Sequence, residues 1–235
     1  MKNKVLTYWQ DFWYLLYPKV CDACGKSLMQ QEEILCTECL VKLPRTSFHD
    51  DTENELVQVF WGRVNIEQAT ALIHFVKGSA YRKLIHKLKY QNRADIGEFL
   101  GRELGSELKE SHKFQRIDYI IPVPLHPDKQ KVRGYNQAEM IAKGMSSVMD
   151  VPVSTDNLVR KLFTKTQTKK GRYDRWENVS RVFDVQKPDE FANKYVLLVD
   201  DVITTGATIE ACAQKLLSIE GTKVSLGCIG MAGAG

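Results

Sequence analysis

One stretch constrains this chain more than any other. Residues 195 to 209 read Tyr-Val-Leu-Leu-Val-Asp-Asp-Val-Ile-Thr-Thr-Gly-Ala-Thr-Ile. Tyr195 to Val199 is a continuous apolar run, which predicts a strand buried on both faces, as in a parallel sheet. Asp200 and Asp201 end it, a small-residue loop follows from Thr204 to Thr208, and Ile209, Cys212, Ala213, Leu216 and Leu217 then repeat at helical spacing. Ligands of open α/β sheets sit beyond the carboxyl ends of the strands. A loop that opens a helix offers free N–H groups and the positive end of the dipole to an anion. Gly206 lets the backbone come close, and the threonines add hydroxyl donors. The adjacent carboxylates cannot hold a phosphate, but they can accept hydrogen bonds from sugar hydroxyls and help retain Mg²⁺. The loop has neither the lysine of a Walker A loop nor the glycine spacing of a dinucleotide fold. Phosphate beside diol is what a ribose 5-phosphate presents.

The segment from Val196 to Thr208 resembles the phosphoribosyl pyrophosphate (PRPP) motif of type I phosphoribosyltransferases. That resemblance implies that Asp200 and Asp201, as the catalytic acids, hold the ribose hydroxyls. It implies that Thr204, Thr205, Gly206, Ala207 and Thr208 cradle the 5-phosphate. The fold class it implies is α/β, a parallel sheet flanked by helices.

A second signal lies near the start of the chain, in Cys21-x-x-Cys24 and Cys36-x-x-Cys39. Two such knuckles can wrap four thiolates around Zn²⁺. So short a segment cannot build a core, so the metal would supply its folding energy. Disulfides are the alternative, but no secretion signal supports them. The site reads as structural, because no His or Glu completes an open, water-activating position. The chain thus divides into residues 1–48, an aromatic helix over 6–16 plus a small N-terminal zinc-binding module, and residues 55–235, the phosphoribosyltransferase-like domain. A polar, acidic connection over 44–58 separates them. Cys212 and Cys228 read as core residues.

Within 235 residues, 43% hydrophobic and 26% charged, the composition is that of an ordinary globular protein, and the net charge of +4 excludes little. No apolar run approaches the roughly 20 residues of a membrane span. The expected location is the cytoplasm.

The rest of the expected domain runs in order. Strand-like residues over 64–76 precede a helix from Tyr81, which carries Leu84, Ile85 and Leu88 on one face and several lysines on the other. A helix from Ile96 to Leu108 leads to a strand from Tyr119 to Leu125, then to a loop with His126, Lys129, Lys131 and Arg133 and a helix beginning near Asn136. Residues 160–181 carry eight basic and two acidic side chains, with Phe163, Tyr173 and Trp176 among them. Such a loop can clamp pyrophosphate or stack single-stranded nucleic acid. Lys223 to Ile229 supplies a last strand, followed by a short tail.

Several of these pieces together resemble the ComF family of phosphoribosyltransferase-like proteins. They are Leu15-Leu16-Tyr17-Pro18, the four cysteines, Leu84 to Tyr90, Pro122 to His126, Arg133 to Gln137, Thr164-x-x-Gln167, Arg175-x-x-Asn178-Val179 and the Asp200 segment. The PRPP site so implied adds Pro124, Leu125, His126, Arg133 and Arg175. The resemblance also implies natural competence: handling of imported single-stranded DNA beside a helicase-like partner. Two readings follow. One is a competence accessory protein that binds PRPP and single-stranded DNA. The other is an enzyme of nucleotide salvage that moves ribose 5-phosphate from PRPP to a nitrogen nucleophile. No segment can be assigned to base recognition, which favours the first, and the transfer chemistry is left open.

Overall fold

The structure, a computed structural model, describes residues 18–75, 79–161 and 182–232. The expected helix over 6–16, Arg175 and most of the basic segment lie outside the described residues. In chain order the elements begin with α1 (Thr37–Val41), α2 (Glu55–Gln58), β1 (Ala69–Phe75), α3 (Arg82–Tyr90), α4 (Ala94–Glu110) and β2 (Tyr119–Pro122). They continue with α5 (Pro127–Arg133), α6 (Gln137–Met149), β3 (Leu158–Arg160), β4 (Phe183–Val185), β5 (Tyr195–Ile203), α7 (Ala207–Leu217) and β6 (Lys223–Ala232).

Four strands form one parallel sheet in the order β1-β6-β5-β2. The apolar run of β5 explains the layers. Leu197 and Val199 pack on one face, with Leu84 and Leu88 of α3, Leu100 and Leu104 of α4, and Ile141 of α6. Val196 and Leu198 pack on the other, with Ile209, Ala213 and Leu216 of α7 and with Leu56 and Phe60. All four β5 side chains are fully buried, so the strand has no polar alternation.

Three boundaries differ from expectation, each for a physical reason. β5 continues through Asp200 and Asp201 to Ile203, because β6 continues beside it and pairs Val202 with Gly230 and Ile203 with Met231. The residues expected as a tail after Ile229 are therefore strand as far as Ala232, between β1 and β5. The loop after Leu125 contains a helix, α5, with Pro127 in its first turn and the His126 side chain accepting from the Asp128 N–H. Proline there needs no hydrogen-bond donor and has the right φ.

The polar, acidic connection expected over 44–58 keeps Asp50, Asp51, Glu53 and Glu55 exposed, but it is anchored through Asn54 and the apolar residues beside it. Asn54 is buried; its side-chain oxygen accepts from the N–H groups of Leu56 and Val57 and caps α2. Its amide donates to the carbonyls of Phe48, Asp51 and Ala69. Leu56 and Phe60, fully buried, then face the sheet.

On the opposite side α4 and α6 lie unusually close. A Cβ on Gly101 would overlap the Ile141 carbonyl, and one on Gly144 would overlap that of Glu98. This contact clamps α6, whose N-cap residue Asn136 borders the site described next.

Candidate functional site

Asp200 and Asp201 stand at the carboxyl end of β5, and the Asp201 N–H donates to Asp200 Oδ1 at 2.8 Å. Asp201 is buried and faces Lys89 of α3, whose Nζ lies 3.0 Å from its Oδ1. Burial, and then the neighbouring Asp201 carboxylate, push Asp200 up to about 7.

These acids form one wall of a cavity of about 170 Å³. Pro124 and Leu125 after β2 form another wall, with Asn136 and Gln137 opening α6 beside them. Lys129 and Arg133 of α5, Arg160 of β3 and Lys89 complete it, so acidic and basic side chains line the same cavity. Arg133 is held in place by the Gln137 Oε1, which accepts from it at 2.6 Å, and by the Tyr90 ring, 5.5 Å away. Arg160 also marks where the basic segment begins. β3 and β4 pair antiparallel, Arg160 opposite Phe183, and the Lys161 N–H donates to Val182 O at 2.7 Å. Lys161 and Val182 are thus held side by side, next to Arg160 in the cavity lining.

The predicted phosphate loop divides. Thr208 lines the cavity, whereas Thr204 borders a separate hollow. Gly206 is the N-cap of α7 in the left-handed region, φ 76°, and Ala207 and Thr208 form the first helical turn. A Cβ on Gly206 would approach Phe60 Cε1 to 2.7 Å, so glycine is required both by conformation and by space. His126 caps α5 and is absent from the cavity lining.

Residues without a local signature complete the site. Arg63 donates to the Thr205 carbonyl at 3.0 Å and pairs with Glu210 of α7, bracing the loop. Lys89 was visible in the sequence only as one lysine of a basic helix face.

Helix α3 also joins the site to the cysteines. The sulfurs of Cys21, Cys24, Cys36 and Cys39 lie within 4.8 Å of one another and none is in a disulfide. Burial pushes the Cys21 thiol up, but backbone hydrogen bonds from Cys24, Cys36 and Ala23 outweigh it and bring it down to about 7. Burial and the other sulfurs push Cys39 up. Asp22, next to this cluster and buried, pairs with Lys87 of α3 at 2.7 Å and with Arg93 at 2.7 Å. The Tyr81 hydroxyl donates to Cys39 O at 2.8 Å.

A parallel sheet with two acids at a strand end, a glycine-led loop opening a helix and basic side chains in the same cavity defines a type I phosphoribosyltransferase-like protein. Residues 136–233 match the family described as Phosphoribosyl transferase domain. The chain is 30% identical over 217 residues to the DNA utilization protein YhgH of Escherichia coli (strain K12), covering 89% of each protein. It is 36% identical over 138 residues to Competence protein F of Haemophilus influenzae, a match spanning 57% of this chain and 60%, under two thirds, of that relative. It is 24% identical to Competence protein ComFC of Bacillus subtilis over 84% of this chain and 71% of that one. The chain belongs to the ComF family of competence and DNA-utilization proteins. Among the described residues no helix is long and apolar enough to cross a membrane.

The state of Asp200 leads to a measurable pH dependence. Between its unfolded value, 3.8, and about 7, the folded chain holds a proton that the unfolded chain has released. Stability therefore falls as pH rises through that window. Asp200→Asn stays neutral and loses this slope. At pH 8 it should be more stable than the wild type by at least about 1.4 kcal/mol, the equivalent of one pKa unit. Urea denaturation at pH 4 and pH 8 checks this; a variant that is less stable at pH 8 contradicts it.

Proposed function

We propose that this chain binds PRPP and serves in the handling of imported single-stranded DNA during natural transformation. The observation that carries the first half is the gathering of Asp200 and Asp201 with Lys129, Arg133 and Arg160 in one small cavity. The carboxylates accept from the ribose 2′- and 3′-hydroxyls. The N–H groups from Thr205 to Thr208 and the α7 dipole take the 5-phosphate, and the basic side chains take the pyrophosphate. Mg²⁺ fits beside hard carboxylate oxygens and, when bound with PRPP, neutralises pyrophosphate charge. The second half rests on the names of the relatives and on the eight basic residues of 160–181, including Arg175.

We assign the four cysteines to one structural Zn²⁺. A tetrahedron with Zn–S of about 2.3 Å places its sulfurs about 3.8 Å apart, and Cys24 Sγ and Cys36 Sγ lie at 3.7 Å. Residues 1–48 are then a metal-dependent module and 55–235 the ligand-binding domain. Their shared cluster of Leu35, Leu43, Leu84 and Leu88 makes the module a support for α3.

The salvage reading keeps the same PRPP site and adds transfer to a nitrogen nucleophile. The basic side chains would stabilise the leaving pyrophosphate, and the carboxylates would stabilise the positive charge left on the sugar.

Calorimetry should show Mg²⁺-dependent PRPP binding that Asp200→Asn with Asp201→Asn weakens by on the order of 1.5–3 kcal/mol per lost hydrogen bond. Equal affinity in the two proteins contradicts the assignment. In cells the same double variant should lower the use of external DNA without abolishing the use of a supplied base; the opposite pattern favours salvage.

Elemental analysis should find one zinc per chain. Stripping it should lower PRPP affinity as well as melting temperature, because α3 presents Lys89 to Asp201. Full PRPP affinity in zinc-free protein contradicts the support role.

A further inference from the structure

The four residues of the cysteine cluster are unequal in access. Cys21 and Cys36 are buried and Cys39 is partly so, whereas Cys24 is exposed. Gly25, next to it, turns the chain at φ 79°, and a Cβ there would meet nothing within 4 Å, so among the described residues no other element covers this turn. Cys24 Sγ is already in contact with Cys36 Sγ, at 3.7 Å. The two cysteines outside the cluster, Cys212 and Cys228, are fully buried in the core. An oxidant in solution therefore meets Cys24 first, since oxidation of cysteine follows exposure and thiolate character.

The chemistry open to this pair balances with one named oxidant, hydrogen peroxide. The Cys24 thiolate attacks the peroxide; an S–O bond forms, the O–O bond breaks and hydroxide leaves. The Cys36 thiolate attacks the resulting sulfenic acid; an S–S bond forms, the S–O bond breaks and a second hydroxide leaves. The two sulfurs give up the two electrons that the peroxide gains. A structural zinc centre needs four ligands, and this step leaves it only Cys21 and Cys39.

What the cluster holds is α3. Asp22, beside Cys21 and buried, accepts from Lys87 Nζ at 2.7 Å and from Arg93 Nη2 at 2.7 Å. The Tyr81 hydroxyl, just ahead of the helix, donates to the Cys39 carbonyl at 2.8 Å. Leu35 and Leu43, which flank the second cysteine pair, pack in the same core as Leu84 and Leu88. A helix of nine residues is stable through its packing rather than by itself. α3 in turn positions two cations at the carboxylate cavity: Lys89 directly, 3.0 Å from Asp201, and Arg133 through the Tyr90 ring at 5.5 Å.

We propose that the cysteine cluster is a peroxide-sensitive switch on the neighbouring site: oxidation of Cys24 and Cys36 to a disulfide releases the zinc, loosens α3 and withdraws Lys89, and the support of Arg133, from the carboxylate cavity. The switch rests on the zinc and PRPP readings; the unequal access of the cysteines and the contacts of α3 do not depend on PRPP. Reduction of the disulfide and return of zinc reverse it.

The test uses the full-length, zinc-loaded protein treated with hydrogen peroxide. A chromogenic chelator follows zinc release, mass spectrometry maps the disulfide, hydrogen exchange follows the amides of Arg82–Tyr90, and calorimetry measures PRPP affinity. The expected result is one zinc released per Cys24–Cys36 disulfide, at least tenfold faster exchange across α3 and at least tenfold weaker PRPP binding, all reversed by dithiothreitol with added zinc. Cys24→His keeps a zinc ligand and removes the exposed sulfur; it should retain its zinc and release it at least tenfold more slowly under peroxide. In case that variant fails to hold zinc, Cys212→Ser with Cys228→Ser leaves the cluster intact and should respond as the wild type does. Zinc that stays bound after peroxide, a disulfide elsewhere, zinc release without faster α3 exchange, or a response that disappears in the Cys212 and Cys228 double variant overturns the proposal. So does a loosened α3 with unchanged PRPP affinity. A reduced protein that holds zinc but binds no PRPP removes the PRPP assignment instead, and exchange across α3 then decides the switch alone.

Discussion

Two carboxylates side by side at the end of a buried strand repel each other, and much of this fold can be read as the means of holding them there. Asp200 is kept by burial in the range where it shares its proton with solvent near neutrality, and Asp201 meets Lys89 at 3.0 Å. The first arrangement does not favour folding by itself, since a carboxyl raised from 3.8 to about 7 costs stability as pH rises through that window. The loss is tolerable because β5 around it is fully buried on both faces between two helical layers. A strand end that is costly to the fold and open to a small polar cavity is where binding energy for a ligand can be recovered.

Helix α3 carries that demand outward. Lys87 and Lys89 are two residues apart and so point to nearly opposite sides of the helix. Lys87 meets Asp22 beside the cysteine cluster, while Lys89 meets Asp201. The Tyr81 hydroxyl ties the start of the helix to Cys39 O, and the Tyr135 hydroxyl ties its end to Leu88 O at 2.5 Å. A cysteine module with no catalytic group of its own thereby fixes the position of a cation at the site. On the other side of the sheet, Arg63 and Phe60 do the same for the loop that opens α7, one through the Thr205 carbonyl and one by filling the space a Gly206 side chain would need.

What the sequence disclosed was local. The apolar run, the acids after it, the small-residue loop and the helical spacing beyond are contiguous, and together they determine a two-faced strand leading into a helix N-terminus. The cysteine spacing is equally local. What it concealed depended on distant partners. The strand's continuation through Asp200 needs β6 alongside, and nothing near Gly230 announces that. Asn54 looks like a loop residue until the carbonyls of Phe48 and Ala69 are brought to it. His126 sits among basic residues and suggested an anion contact, but Pro127 after it makes it a helix cap. Lys89 and Arg63 belong to the site only through folding, and the glycines of α4 and α6 show their purpose only when the two helices touch.

The claim at the centre of this account is that Asp200, Asp201 and the opening of α7 form one receptor for a ribose 5-phosphate. A crystal structure of the protein with Mg²⁺ and PRPP tests it most directly. The account predicts the ribose hydroxyls at about 3 Å from the Asp200 and Asp201 oxygens, with the 5-phosphate on the N–H groups from Thr205 to Thr208. PRPP seated elsewhere, with the Lys89–Asp201 pair undisturbed and the α7 N-terminus facing solvent, would contradict it.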